Sequence, residues 1–348
     1  MAARRTRLLV AFGVLAALLV VALVASLWLG AESLSPGTVL DALFRPDEVS
    51  RGTLNVVRKV RLPRTAAAGL SGAALGVCGA QMQTIFRNPL ADPFVMGVSS
   101  GASFGVAIVV LAVGSGASTW IGGLDTIGKL GISGAAFLGA MSVTFIALAV
   151  SRRVRGTASI LIVGLMIGYL LAAIVSLLVA QADPIRLKQF STWGFGSFEA
   201  VTNEELKIVA PVLGVGLTLA LLSAKTLNAL LLGERYAESM GVAVRRDRFL
   251  ILLVASLLAG VVTAFAGPIG FIGIAAPHLA RPLVATSDHR ALLPASAMIG
   301  AITALVAGVV SKTPGQSGVL PLNAVTAILG VPVVVWVLTR RSRVEVVT

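Results

Sequence analysis

Reactive and titratable side chains are scarce in this sequence, which holds one cysteine, two histidines, two tyrosines and 15 carboxylates among 348 residues. A single cysteine excludes an intrachain disulfide, and the position of Cys78 among small residues of an apolar run reads as packing. His278 and His289 have no clustered thiols or carboxylates around them in sequence, so no metal site and no cofactor is expected in this chain. The Gly-x-x-x-x-Gly-Lys-Ser/Thr loop that cradles nucleotide phosphates is absent, which argues against ATP hydrolysis by this chain alone. Lone serines amid small-residue helices lack a base and an orienting partner, so no nucleophilic catalyst emerges. Charged residues make up only 12%, against about 25% in soluble domains.

Hydrocarbon takes the place of charge. Hydrophobic residues are 57% of the chain and the mean hydropathy is +0.95. Apolar runs recur to the C-terminus, each near the roughly 20 residues that cross about 30 Å of lipid. They predict an all-α polytopic membrane protein with about ten transmembrane helices, over 8–29, 65–85, 94–114, 131–150, 159–180, 206–223, 249–267, 269–284, 291–310 and 324–339. The first run follows Arg4, Arg5 and Arg7 like a signal peptide, but it is too long for one and further spans follow, so it reads as the first span. With no clear internal repeat, residues 1–348 read as one domain. Many of the 37 glycines fall inside spans, where small residues allow close helix contact or line a path.

Orientation follows from lysine and arginine. With the N-terminus in the cytoplasm, 17 of the 28 basic residues fall on the inner side, among them Arg152, Arg153 and Arg155, and both termini are expected there. The net charge of +13 does not point to nucleic acid, because the basic residues are divided between two membrane faces; contact with anionic lipid is the simpler reading. Arg58, Lys59, Arg61 and Arg64 run against the rule by falling on the outer side before span two.

Three polar interruptions stand out. Arg87-Asn88-Pro89-Leu90-Ala91-Asp92-Pro93 separates spans two and three, and its prolines forbid a continuous helix. Asn88 and Asp92 suit a hydrogen-bonded turn, and Ser99 and Ser100 suit backbone groups near a helix end. This is either an ordinary turn or a hinge or subunit contact. A second segment, within about 225–247, has glycines at both ends of a short helical stretch and apolar Leu232, Tyr236 and Met240 on one face. It fits a cytoplasmic partner or a membrane-surface helix. A third segment runs from Gly267 to Arg281, where Pro277 is expected to break or kink the span and leave His278 and Arg281 on the polar side. The central spans carry no acidic residue of the kind that couples protons or sodium, so a passive or partner-driven conduit fits better than an ion-coupled secondary transporter.

Together, Arg61-Leu62-Pro63-Arg64, Gln81 with the Arg87–Pro93 break, Gly97 to Ala102, Trp193-Gly194-Phe195-Gly196-Ser197, Gly233-Glu234, Gly267 to Arg281 and Asp288-His289-Arg290 carry a resemblance. In this order, across about residues 55–338, the chain resembles the permeases of type II ABC importers for iron-siderophores, haem and vitamin B12. The resemblance implies a ten-helix permease in the bacterial inner membrane. Its partners would be a second permease chain, two cytoplasmic ATPases that bind ATP and magnesium, and a periplasmic or lipid-anchored binding protein.

Arg61 and Arg64, with Lys312, match the family's docking cations for the binding protein. Leu232, Gly233, Glu234, Tyr236, Ala237, Met240 and Gly241 match its coupling helices. Asn88, Pro89, Asp92, Pro93, Ser99, Ser100, Pro277, His278 and Arg281 are candidate turn or gate residues. Iron-siderophore complexes are the first expected substrate, with haem and vitamin B12 as alternatives. Gly308, Val319 and Asn323 depart from the family pattern on the outer side, where the binding protein would dock.

Overall fold

The computed structural model describes residues 2–30, 34–112, 126–151, 157–312 and 320–345. Arg152, Arg153, Arg155 and Val319, named above, lie outside them. The described residues are helical apart from short connections. The helices are α1 (Ala2–Trp28), α2 (Pro36–Phe44), α3 (Arg51–Asn55), α4 (Leu62–Ile85), α5 (Val98–Ala107), α6 (Thr126–Ser151), α7 (Thr157–Ala180) and α8 (Pro184–Gly194). They continue as α9 (Asn203–Leu222), α10 (Ala224–Leu231), α11 (Glu234–Ser239), α12 (Val244–Ala266), α13 (Ile272–Val284), α14 (His289–Val310) and α15 (Leu322–Glu345). Six of them, α1, α6, α7, α9, α12 and α14, are long and apolar enough to cross a membrane. This makes the chain an all-α, multi-pass membrane protein.

The predicted second span is α4, and it is less oily than the six because it faces protein on almost every side. Its buried residues run from Pro63 to Ile85 with few gaps, against α14, α13, α9 and α12. Close approach comes from glycine. A Cβ at Gly72 would stand 2.2 Å from the Gly300 carbonyl oxygen of α14, and one at Gly79 would stand 1.7 Å from that of Gly273 in α13. In lipid, where no hydrophobic effect presses helices together, such contact supplies van der Waals attraction. The outer ring is different: α7 exposes Ile162, Leu165, Met166, Tyr169 and Leu170, which follow helical spacing along one face.

Two predicted spans are irregular. The third begins as a short 3-10 turn, Pro93–Met96, passes through Gly97 at φ 81°, and only then enters α5, which continues as a π-helical turn over Ile108–Ala112. The eighth is not helical from residue 269; α13 has only 13 residues, about 20 Å of rise. Gly267 and Phe271 hold positive φ in the connection before it, and the Asn323 side chain accepts the Gly270 N–H at 3.1 Å. Pro277 does not end α13, which runs through it and Pro282 to Val284, so the expected break lies instead at 267–271. The stretch before α4, expected as a loop, is helical through α2, α3 and a π-turn at Val56–Arg61.

Candidate functional site

Polar residues gather at the two ends of α4, about 36 Å apart for its 24 residues. At the C-terminal end, the helix stops in a Schellman arrangement. Asn88 N–H donates to the Gln83 carbonyl and Arg87 N–H to that of Thr84, with Arg87 in the left-handed region at φ 48° where glycine is usual. Asn88 Oδ1 then accepts the Leu90 N–H at 2.9 Å, and Asp92 Oδ1 accepts the Phe94 N–H at 2.8 Å. The break is therefore an ordered turn that caps one helix and starts the next. Burial pushes the Asp92 carboxyl up to about 6, against a smaller opposing effect of the Phe94 N–H. Ser100 lies against α7, where a Cβ at Gly168 would come within 3.2 Å of its hydroxyl.

Both histidines of the chain fasten this end. His278 is buried, and its Nε2 lies 2.9 Å from the Pro89 carbonyl while Arg281 reaches Nδ1 at 3.4 Å. The carbonyl can only accept and the guanidinium can only donate, which assigns a neutral ring protonated on Nε2. His278 thus stands beside the turn but is buried there, tying α13 to the turn from within. His289, at the start of α14, lies 2.8 Å from Thr84 Oγ1 and 2.9 Å from Asn228 Oδ1 of α10. Asn228 in turn donates to Asp288 at 2.6 Å. Partial burial opposes ionisation of Asp288, but the Arg290 N–H, Asn228 and nearby arginines outweigh it and hold its pKa below the usual value.

The predicted coupling segment is two helices. Gly233, at φ 112°, separates α10 from α11, and Gly241, at φ 83°, ends the turn after α11. Ala237 is buried with Ala229, Leu230 and Val244, pinning α11 to its neighbours, and Glu234 pairs with Arg248 of α12. Leu232, Tyr236 and Met240 stay exposed, at 64%, 55% and 58%. An open cleft of about 510 Å³ runs between this segment and the Ile85–Arg87 end of α4. Arg87 also reaches the Leu230 carbonyl at 3.4 Å, so the turn and the exposed patch are joined.

The opposite end of α4 holds the other cluster. Arg64 pairs with Glu199 at 3.4 Å, both about one quarter exposed. Lys312 lies within electrostatic reach of Glu199, Arg64 and Arg61; burial lowers its pKa, the carboxylate opposes that, and the two arginines add to it. Arg61 faces inward. It is 6% exposed, and its Nη1 donates to the Leu27 and Trp28 carbonyls at 2.9 and 2.7 Å, closing the C-terminal end of α1. Glu199 and Asn228 escaped the sequence reading. Glu199 sits two residues beyond the Trp193–Ser197 motif, whereas Asn228 is a lone polar residue in a leucine run with no local signal.

One of the unusual outer residues has a structural explanation: Asn323 binds the Gly270 backbone. A Cβ at Gly308 would make only ordinary contact, 3.6 Å, with the Phe198 ring, so nothing in the structure explains that glycine. Among the described residues no group of three or more His, Cys, Asp or Glu side chains stands together.

Comparison with known proteins gives one family. The vitamin B12 import system permease protein BtuC of Klebsiella pneumoniae is 37% identical over 323 residues, 93% of this chain and 91% of that protein. That of Citrobacter koseri is 36% identical over 329 residues, 94% of each. Among solved structures, an inward-facing transporter of the metal-chelate ABC type superposes with a TM-score of 0.82 at 28% identity, over 95% of this chain and 99% of that one. PsaBC from Streptococcus pneumoniae shares the fold at a TM-score of 0.56 and 14% identity, over 87% and 95%. The FecCD transport family model matches residues 18–340. With this coverage and an all-helical membrane fold, the chain belongs to the FecCD transport family of ABC-importer permeases, non-catalytic subunits that provide a translocation path and work with separate ATPases.

Proposed function

We propose that this chain is the permease of a type II importer for vitamin B12 or a closely related metal chelate. One observation carries the substrate: 37% identity to a vitamin B12 permease along nearly the whole of both chains. It puts vitamin B12 ahead of iron-siderophores, reversing the order expected from sequence motifs. The likeness to a metal-chelate type transporter supports iron chelates as the second reading.

In this reading the chain forms one domain with ten spans and both termini in the cytoplasm. A second permease chain covers the exposed apolar face of α7, and the path runs between the two copies beside Ser99 and Ser100. Two ATPases, loaded with ATP and magnesium, receive Leu232, Tyr236 and Met240 through α11. Gly233 and Gly241 give the backbone turns that set α11 at an angle to its neighbours, and Glu234 and Ala237 fix it to α12 and α10. ATP binding moves α11; the Asn88–Pro93 turn, with His278 and Arg281 behind it, passes that movement to α4, α5 and α13. At the other end Arg64 and Lys312 meet acidic residues of a binding protein, and Arg61 holds the helix end on which Arg64 stands.

Vesicle reconstitution with candidate ATPases and a binding protein tests the assignment. Saturable, ATP-dependent uptake of cyanocobalamin is expected, with ferric-siderophore and haemin uptake weaker. Uptake of a ferric siderophore without cyanocobalamin reverses the substrate order. Uptake that persists with a hydrolysis-dead ATPase defeats the ATP-driven mechanism.

A further inference from the structure

A cavity of about 260 Å³ lies between α9 and α12, at the end of the bundle that carries α10 and α11. Its chemistry changes along its length. Leu219 of α9 and Leu250 and Val254 of α12 line the part within the two membrane-crossing helices, and Ser223, Thr226 and Asp247 line the part at their ends. Asp247, Leu250 and Val254 follow i, i+3 and i+7 on α12 and so share one face. Leu219 and Leu250 are both more than one third exposed, so the cavity opens sideways on the flank of the bundle. An apolar floor with a polar mouth at the membrane boundary is the shape of an amphiphile.

None of the residues that line the polar mouth is a cation. Asp247 accepts one long hydrogen bond, from Thr226 Oγ1 at 3.5 Å, and among the described residues it makes no ion pair. A carboxylate held at the edge of hydrocarbon without a cation is costly. Behind it, the Gln81 amide of α4 forms the inner wall. Its Nε2 donates to Ser223 Oγ at 3.1 Å, while its buried Oε1 has no partner. Acceptors thus outnumber donors in the cavity, which suits a ligand that brings N–H groups. Lys225 and Arg246 lie outside the cavity lining, exposed in the first turns of α10 and α12 that also carry Thr226 and Asp247.

We propose that this cavity holds a phospholipid with a primary-amine headgroup. Its ammonium sits on Asp247 and Thr226, its phosphate beside Arg246 and Lys225, and one acyl chain along Leu219, Leu250 and Val254. Choline headgroups have no N–H to give the carboxylate. Glycerol headgroups carry no cation, and a serine headgroup adds a second carboxylate beside Asp247. Because Ser223 is the junction between α9 and α10, the bound lipid braces the point where the exposed α10–α11 segment joins the bundle. Lipid binding at this cavity does not depend on which substrate the importer carries.

Native mass spectrometry of the purified full chain, titrated with phosphatidylethanolamine, phosphatidylglycerol and phosphatidylcholine at equal concentration, tests it. The first adduct should favour phosphatidylethanolamine by about fivefold, a difference of about 1 kcal/mol. Asp247→Asn should bring the three lipids level at an unchanged melting temperature. Leu250→Trp, which fills the apolar floor and keeps the carboxylate, should remove the favoured adduct as well, and it carries the test if the first variant does not fold. Equal retention of the three lipids by the wild-type chain overturns the proposal, as does selectivity that survives in both folded variants. Displacement of the adduct by millimolar phosphoethanolamine also overturns it, because a soluble amine would then be the ligand.

Discussion

His289 and Thr84 meet where α4 ends and α14 begins, with Nε2 and Oγ1 2.8 Å apart. The hydrogen placement follows from the neighbours. Asn228 donates through Nδ2 to the Asp288 carboxylate, so its Oδ1 accepts both the His289 N–H and ring Nδ1, which must carry the hydrogen. A neutral ring then presents a lone pair on Nε2, and the one hydrogen of the Thr84 hydroxyl is shared between that lone pair and the Ala80 carbonyl, each 2.8 Å from Oγ1. Four side chains from α4, α10, the loop before α14 and α14 itself are thereby locked in register beside the exposed α11.

Removing one partner leaves the others buried and unpaired. Thr84→Val keeps the volume and deletes the hydroxyl, and it should cost about 1–3 kcal/mol, the range for an orphaned buried polar group. Asn228→Leu removes three hydrogen bonds and should cost more. Melting of the purified chain in detergent checks the order; a neutral Asn228→Leu variant would show that the network does not hold the helices.

Glycine at position 79 is required by space, and glycine at position 69 is not. A Cβ at Gly79 would fall 1.7 Å from the Gly273 carbonyl oxygen, whereas nothing lies within 4 Å of one at Gly69. Gly79→Ala should force α13 from α4 and destabilise by about 1–3 kcal/mol or more. Gly69→Ala, in the same helix, should be neutral or gain up to about 1 kcal/mol from helix propensity. Equal effects on melting would mean that the α4–α13 contact gives way without cost.

Much of this was readable from residue types, and the limits have physical causes. Pro89 and Pro93 mark the break between α4 and α5 because proline restricts its own and the preceding residue. The left-handed residue of the same turn is Arg87, not the glycine a Schellman end normally uses, so nothing local announced it. The eighth span, over 269–284, already reads as short in sequence, and only the late start of α13 at Ile272 was hidden, for another reason. Residues 267–271 are apolar enough to read as membrane-spanning, and their non-helical path is held by Asn323, 53 positions away. Arg61 and Arg64 look equivalent in sequence, three residues apart before one span. Only packing shows that one turns onto α1 and the other onto Glu199.

That difference separates two roles for the pair. Arg64→Glu should weaken binding-protein association strongly at low salt and less at high salt, because screening reduces long-range attraction, while melting changes little. Arg61→Ala should do the opposite, lowering the melting temperature by uncapping α1 and leaving the salt dependence of association nearly intact. Surface plasmon resonance on the reconstituted permease measures both. A folded Arg64→Glu variant with wild-type affinity at every salt concentration would remove Arg64 from the docking surface.

Asp92 gives the turn a pH dependence with a definite sign. Burial raises its carboxyl from 3.8 to about 6, so the folded chain prefers the protonated form more than the unfolded chain does. The resulting stabilisation is fully present below pH 3.8 and is lost as pH rises through about 6. Its size is at most on the order of 3 kcal/mol. Asp92→Asn keeps an acceptor for the Phe94 N–H and cannot ionise, so it should melt at the same temperature at pH 5 and pH 8 as far as this position contributes. The wild-type chain should then lose more stability than the variant between those two values. A wild-type chain that gains stability relative to the variant on going to pH 8 would mean that the ionised carboxylate finds a partner in the turn, and that the Asn88–Pro93 segment is held by charge.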